Sequence, residues 1–471
     1  MLSRCCPRPL TLTARQVVLV ACTRRAPVVA ACVIFAFCLV SRWLWPAPLV
    51  SPACTDATLT SSGFNVFGAR GTAADARAAA RRWDEFRRCL TLRPAQCVDA
   101  ADTELPASPP PFAELEAHFH ELLLRTRPLR GLPMLQYAGW RGPWVENAWL
   151  AAAACADYRA FYPLVPLFVQ VSDHVFSPSR AAMDRALLEL VRTLRRDVIY
   201  LLVTEDDQGL GFLPSDEDCA ARNILVLNSG GWGNVALPLI RGELLPNDFG
   251  GGPPPPPDER SGAYERTTLI TFAGSLTTSI GGQRQAAAAA LRAAGLASDA
   301  LFRIFYAGLE WKAIVQNSVL SLSPRGFGRT SFRSSELVQL GVPQLYVYDE
   351  VPWLPYWDPE RPDGRPGRTD VWGPNGLGLI ASIDGLANVT AGLCAAMLPP
   401  DLPRATCSGG LPAGPPYRVH ARSRIARMRA RALELAGSHF TYNGFVRRIR
   451  EFLDSPWDAD LVCVKRPVKR Q

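Results

Sequence analysis

Apolar and polar positions along this chain alternate between two periods. Tyr162 to Val171 (YPLVPLFVQV), Val198 to Val203 (VIYLLV) and Asn223 to Leu227 (NILVL) are short, nearly continuous apolar runs. Such runs predict strands buried on both faces. Ala181 to Arg195, between the first two, has the 3.6-residue spacing of an amphipathic helix. Gly250 to Gly262 (GGGPPPPPDERSG) then breaks the pattern, because five consecutive prolines fit neither a helix interior nor a central strand. Beyond it the alternation restarts. Strands are predicted over Thr268 to Ala273, Leu301 to Tyr306, Val319 to Ser323 and the LYVY run after Pro343, with helices over Gln283 to Ala294, Leu309 to Asn317 and Ser331 to Leu340. Ala421 to Leu435 and Gly444 to Leu453 predict two C-terminal helices.

Strands alternating with helices on both sides of a linker imply an α/β protein of two halves, each with a mainly parallel sheet and helices on its faces. Ligands in such sheets bind beyond the carboxyl ends of the strands, which places a site in the cleft between the halves. The residues divide into 128–262 and 263–420 for the two halves, with 421–471 as C-terminal helices and a basic tail. Ahead of them, 46–127 reads as a stem, mixing an Ala/Arg-rich helix (Ala73 to Leu90) with a Pro-rich connection (Leu105 to Phe112).

The uncharged stretch Ala26 to Ser41 approaches a bilayer-spanning length with its flanks. Arginines precede it, and Trp43 and Trp45 mark its far side. Residues 1–25 therefore read as a cytoplasmic tail and 26–45 as an uncleaved signal anchor, a cleaved signal peptide being the competing reading. Eight of 13 cysteines follow the anchor, dispersed and without zinc-type spacing, which fits an oxidising lumen. Cys89–Cys97 and Cys394–Cys407 are the local pairs, and Asn388 in Asn-Val-Thr is the one glycosylation sequon. The net charge of +8 gathers mostly at the two ends, with no basic, aromatic-interleaved stripe along the body, so a nucleic-acid partner is not expected.

Three stretches carry candidate chemistry. Ser323-Pro324-Arg325-Gly326-Phe327-Gly328-Arg329-Thr330 joins a strand to a helix that opens at Thr330 or Ser331 and stops at Gly341. It is neither a Walker A loop nor a dinucleotide fingerprint. Arg333 and Glu336, three apart, share a face of that helix. They form either a surface ion pair or, with Arg325 and the helix N-terminus, a nucleotide diphosphate site in which the carboxylate accepts from ribose hydroxyls. Thr271-Phe272-Ala273-Gly274-Ser275 followed by Arg284 is a second strand-to-helix junction, which could be an ordinary turn or close on the same ligand. Glu205-Asp206-Asp207, at the end of VIYLLV, could hold Mn²⁺ or Mg²⁺, supply a general base or be a solvated loop. Asp173-His174 is the other base candidate, weighed against a satisfied surface histidine. No G-x-S-x-G elbow supports hydrolase chemistry.

The run TFAGS to Arg284, followed by NSVLSLSPRGFGRTSFRSSELVQLGVP at Asn317 to Pro343, resembles the signature of the exostosin-like family, glycosyltransferase family 47. The likeness spans most of Pro128 to Leu453 and is strongest in the second half. Asp207-Gln208-Gly209 is similar to the family's Asp-x-Gly. The chain departs from the family at VLSLS, where a cysteine is common, at Gln344, and at Thr204 to Asp207, where an Asp-His run is usual. The resemblance implies a type II Golgi membrane enzyme with a GT-B fold, two Rossmann-like domains facing a cleft. It implies a nucleotide-sugar donor, UDP-linked, held by Arg284, Arg325, Gly326, Ser331, Arg333 and Glu336, and an inverting transfer to a glycan or glycoprotein acceptor. Cofactors are not expected on this reading. A metal-dependent GT-A transferase using Mn²⁺ or Mg²⁺, and a non-catalytic lumenal glycan-binding member, are the rivals.

Overall fold

The computed structural model describes residues 76–92, 105–130, 145–154, 156–172, 180–210, 223–242, 263–276, 279–293, 310–357, 371–372, 376–401, 416–457 and 459–464, all within one compact unit. The first half contains α1 (Ala76–Thr91), α2 (Phe112–Arg125), α3 (Val145–Ala153), β1 (Val165–Pro166), α4 (Arg180–Arg192), β2 (Tyr200–Thr204), β3 (Ile224–Asn228) and β4 (Val235–Ala236). Its four strands pair in parallel in chain order, with Tyr200 opposite Ile224 in the central pair. Every residue of β2 and β3 is buried, as their unbroken apolar runs predict. The run from Tyr162 to Val171 yields only a two-residue strand. Pro163 and Pro166 lack ladder donors, and β1 is accordingly an edge strand of this sheet.

The second half contains β5 (Ala263–Arg266), β6 (Thr268–Thr271), α5 (Gln283–Ala293), α6 (Glu310–Gln316), β7 (Ser318–Pro324), α7 (Phe332–Gln339), β8 (Gln344–Tyr348), β9 (Gly378–Ser382), α8 (Leu386–Ala391), α9 (Leu393–Met397) and β10 (Tyr417–His420). Strands β6 to β9 form a second parallel sheet in chain order, and β5 pairs antiparallel with β10. The architecture is mixed α/β with two separate parallel sheets, compatible with Rossmann-like domains. The strand expected at Leu301 to Tyr306 and the proline-rich break at Gly250 to Gly262 lie outside the described residues.

Two helices complete the chain, α10 (Arg424–His439) and α11 (Tyr442–Asp454). The Ser423 hydroxyl accepts from Ala426 N–H and the Thr441 hydroxyl from Gly444 N–H, so each helix opens on a side-chain cap. Helix α10 packs on α7 in the second half, whereas α11 packs on α3 in the first. Arg450 donates to the Ala160 carbonyl, and Phe452 meets Phe86 edge-on with centroids 5.8 Å apart. The chain thus crosses back over itself near its end.

That return corrects two expectations. Cys89 forms a disulfide with Cys463, 374 residues away, and not with Cys97. Proximity in sequence favoured the local pair, but α1 carries Cys89 to the same sheet edge that the returning tail reaches. There Cys463 bridges to Val235, and Val464 N–H donates to Asn234 O. The region read as a stem is, from Ala76 onward, part of the body in its described helices. Trp83, Phe86 and Cys89 of α1 and Leu115, Phe119 and Leu122 of α2 are buried in the first half's core. Cys394 is also disulfide-bonded. Among the described residues no helix is long and apolar enough to cross a membrane. The anchor expected at 26–45 lies outside them.

Candidate functional site

Strands β2 and β3 of the first half and β7 and β8 of the second end toward one another, and the loops beyond them interlock. In the first half Asn228, the last residue of β3, organises the turn. Its side-chain carbonyl accepts from Gly230 N–H and Gly231 N–H, and its amide donates to Asp206 O. This holds the loop after β3 against the loop after β2.

Each acidic residue after β2 has its own task. Glu205 is buried and accepts from Val145 N–H at 2.6 Å, satisfying a donor at the start of α3. Asp206 accepts from Gln208 N–H and stabilises the turn. Asp207 is half-buried and points at the second half, where Gly328 N–H donates to its carboxylate. Burial, reinforced by the neighbouring Asp206 charge, pushes its pKa from 3.8 up to about 7, against the opposing pull of Arg325 and the Gly328 bond. A further buried carboxylate, Glu146 on α3, accepts from Ser172 N–H and from the Ser172 and Thr204 hydroxyls. It locks the helix to the end of β2.

The partner loop follows β7. Gly326 N–H donates to Thr330 O at 2.8 Å, closing a tight turn. Arg325 holds that turn from inside. Its Nε donates to Gly328 O, one Nη donates to Phe327 O, and the other meets both oxygens of Asp349 at 3.0 and 3.2 Å. Arg325 is therefore committed to shaping the loop, a role that spacing alone could not separate from phosphate binding. Arg329 N–H donates to Gly230 O, its guanidinium reaches Gly231 O and Glu350, and Tyr346 Oη donates to Arg329 O. From the segment beyond β8, Trp353 Nε1 donates to Asn228 O.

Two glycines permit this approach. A Cβ on Gly328 would lie 1.8 Å from Gly230 O and 2.4 Å from Asp207 Oδ1, so no side chain fits there. Gly231 has φ +134°, and a Cβ there would come within 2.4 Å of Arg329 N.

Beside this seam lies a cluster of guanidinium groups. Arg284, near the start of α5, donates to Arg325 O and Ser275 O and sits 5.3 Å over the Phe272 ring. Arg333 donates to Ala273 O, lies 4.0 Å over the Trp311 ring and pairs with Glu336 at 3.1 Å. Arg241, from the first half, meets the other Glu336 oxygen at 3.6 Å. Arg333 and Glu336 are nearly enclosed, so they are not a surface ion pair. Burial, and then the Arg333 charge, lower the Arg284 pKa to about 10. Burial also lowers that of Arg333, against the support of Glu336. Among the described residues this cluster holds three guanidinium groups to one carboxylate, an excess of positive charge that favours an anion.

Ser331 stands at the N-cap position of α7 with extended backbone, as expected, but its hydroxyl makes no capping bond. Among the described residues, the buried Ser331 hydroxyl, the Ser323 hydroxyl at the end of β7 and Gln283 Nε2 have no hydrogen-bond partner. Gln283 Oε1 accepts from Arg325 N–H at 3.0 Å. The structure brings Asp207, Arg284, Arg325, Gly326, Ser331, Arg333 and Glu336 to one seam. Asp173 and His174 lie outside the described residues. Asn388 is exposed on α8, and the Thr390 hydroxyl donates to Ala387 O. Among the described residues no group of three or more His, Cys, Asp or Glu side chains is placed to hold a metal ion.

Sequence reasoning passed over Asn228, Glu146, Trp311 and Arg241. Only Asn228 left a signal, since Asn-Ser-Gly-Gly after a strand is turn chemistry. In comparison with known proteins, the chain matches no family model and no curated protein.

Proposed function

We propose that the chain is a glycosyltransferase of GT-B type. It moves a sugar from a nucleotide-sugar donor, UDP-linked, to a glycan hydroxyl, with inversion at the anomeric carbon. The observation that carries this reading is the contact of Asp207 with the arginine-held loop where the two parallel sheets end. It joins a carboxylate of one half to an anion-favouring cluster of the other.

In the mechanism, Asp207 takes the acceptor hydroxyl proton as that oxygen attacks the anomeric carbon. The bond to the diphosphate breaks, and its electrons stay on the departing phosphate. A base with a pKa near 7 is matched to neutral conditions. Arg284 and Arg333, with the Ser331 hydroxyl and the N-terminus of α7, stabilise the leaving diphosphate. Glu336 accepts from the ribose hydroxyls while its other oxygen keeps Arg333 in place. Arg325 contributes indirectly, through the loop that places Gly326 and Gly328. The seam between halves couples donor and base, because the loop at the donor cluster also donates to Asp207.

The resemblance to exostosin-like enzymes supports a single-pass type II Golgi membrane protein with its catalytic part in the lumen and Asn388 glycosylated there. The proposed partners are a UDP-sugar donor, a glycan or glycoprotein acceptor and the membrane. The test is a donor screen on the full-length chain in mild detergent, reading UDP release with and without oligosaccharide acceptors. UDP release with one donor sugar, abolished in Asp207→Asn, is the expected result. No UDP release and no UDP binding overturn the proposal.

A further inference from the structure

Four large hydrophobic side chains are exposed among the described residues: Leu124 (73%), Phe327 (59%), Val351 (40%) and Leu433 (39%). Single exposed apolar side chains are ordinary. Two of these four, however, lie on the loops beyond β7 and β8, at the seam described above. The same loops are cross-linked by the Arg325–Asp349 and Arg329–Glu350 ion pairs.

Phe327 is the apex of the turn closed by Gly326 N–H and Thr330 O. Its backbone is fixed on both sides. An Arg325 Nη donates to its own carbonyl at 3.2 Å, and Arg325 Nε donates to that of Gly328 at 2.8 Å. The next residue, Gly328, touches Asp207. The ring is thus presented to solvent from a rigid mount, one residue from the carboxylate proposed as the base. Exposing an aromatic ring forgoes its apolar burial, and immobilising its backbone removes the freedom that would let it fold away. Both costs are recovered when a flat apolar surface covers the ring.

We infer that Phe327 is the stacking platform of the acceptor subsite, covered by the apolar C–H face of a pyranose ring. The inference rests on the function proposed above and deepens it. A pyranose suits the position because it offers a C–H face to the ring and directs hydroxyls sideways, toward Asp207. A nucleobase could also stack on the ring. We assign the acceptor, since the adjacent Gly328 meets Asp207, the carboxylate proposed to take the acceptor's proton. The acceptor subsite is then built partly by the donor half, and acceptor recognition depends on the seam being closed.

The experiment uses the full-length chain with Phe327→Ala and Phe327→Trp, measuring acceptor KM, calorimetric UDP affinity and thermal midpoint. Phe327→Ala should raise acceptor KM about tenfold, the effect of losing a ring-sized apolar contact. UDP affinity and thermal midpoint should match the wild type, and Phe327→Trp should restore KM. An unchanged acceptor KM in Phe327→Ala overturns the inference. So does an equal loss of UDP affinity, which assigns the ring to the nucleobase. If the wild type turns over no nucleotide sugar, the function proposed above fails separately. Stacking is then read by calorimetric titration of neutral hexasaccharides. Binding lost in Phe327→Ala and kept in Phe327→Trp sustains the platform; equal binding, or none by the wild type, removes it.

Discussion

The two halves meet with opposite chemistry at similar places in similar sheets. In the first half, β2 (YLLVT) and β3 (ILVLN) are apolar until their last residues, β3 ends on Asn228, and the loop after β2 carries Glu205, Asp206 and Asp207. In the second, β7 (SVLSLSP) buries three serines in mid-sheet, and its surroundings carry Arg284, Arg325, Arg329 and Arg333. Ser321 donates to Thr271 O and Ser318 shares a hydrogen bond with the Thr271 hydroxyl, so two of these hydroxyls are satisfied across the β6–β7 pair. The same strand geometry thus supports an acidic end and a basic end. Acid and base chemistry are concentrated in different halves, and Asp207 meets the basic half at Gly328. The first half is also tied at its edge by the Cys89–Cys463 bond, whereas the second is joined to it by the crossing of α10 into α11.

The sharpest way to break this division is to remove the acid. Asp207→Asn should lower turnover about 10²- to 10⁴-fold, the range of a general base, with UDP affinity preserved. Steady-state kinetics beside UDP titration checks it. An equal fall in UDP affinity would show that the acidic end also belongs to donor binding.

Removing the tie should act on stability. The Cys89→Ser, Cys463→Ser double variant should lose about 2–5 kcal/mol, since the bond closes a very long loop. Chemical denaturation of the full chain measures this. An early transition confined to the first half and the tail would show that the two halves unfold separately.

On the basic side, Glu336→Gln should weaken UDP binding about 10- to 100-fold, because it removes the charged acceptor to the ribose and the ion pair that positions Arg333. Asp349→Asn should do less, about twofold to fivefold in turnover with little change in UDP affinity, because Arg325 holds the loop and not the phosphate. Calorimetry separates the two. If Asp349→Asn weakens UDP binding as much as Glu336→Gln, Arg325 is a ligand after all.

The last effect is a pH signature. The Asp207 pKa is raised from 3.8 to about 7, so the folded state holds its proton more tightly than the unfolded chain does. Stability from this group is present in full below pH 4 and is lost as pH rises toward 7. Asp207→Asn should therefore raise the thermal midpoint at pH 8 relative to wild type and leave it unchanged near pH 4. Melting curves at the two pH values check it.

Much of the frame was legible in the chain itself. The apolar runs at Val198 to Val203, Asn223 to Leu227 and Val319 to Ser323 became central strands, because burial on both faces demands continuous apolar sequence. The helix after Ser331 began and ended where its flanking residues implied, because propensity and termination are local. Arg333 and Glu336 share a face for the same reason. The partners that fold long-range were not legible. Cys89 pairs with Cys463 because α1 and the tail meet at one sheet edge, and no local spacing encodes that meeting. Arg325 could bind phosphate or brace its own loop, and its partner Asp349 lies beyond the next strand, where no local spacing points to it. Glu205 and Asp207, two residues apart, look alike in sequence. One is spent on the α3 backbone and the other is raised toward neutrality by burial at the seam and the Asp206 charge, because a carboxylate's role depends on which groups enclose it. Local physics determined the elements and the residue types at their ends, while tertiary packing assigned each charge its partner.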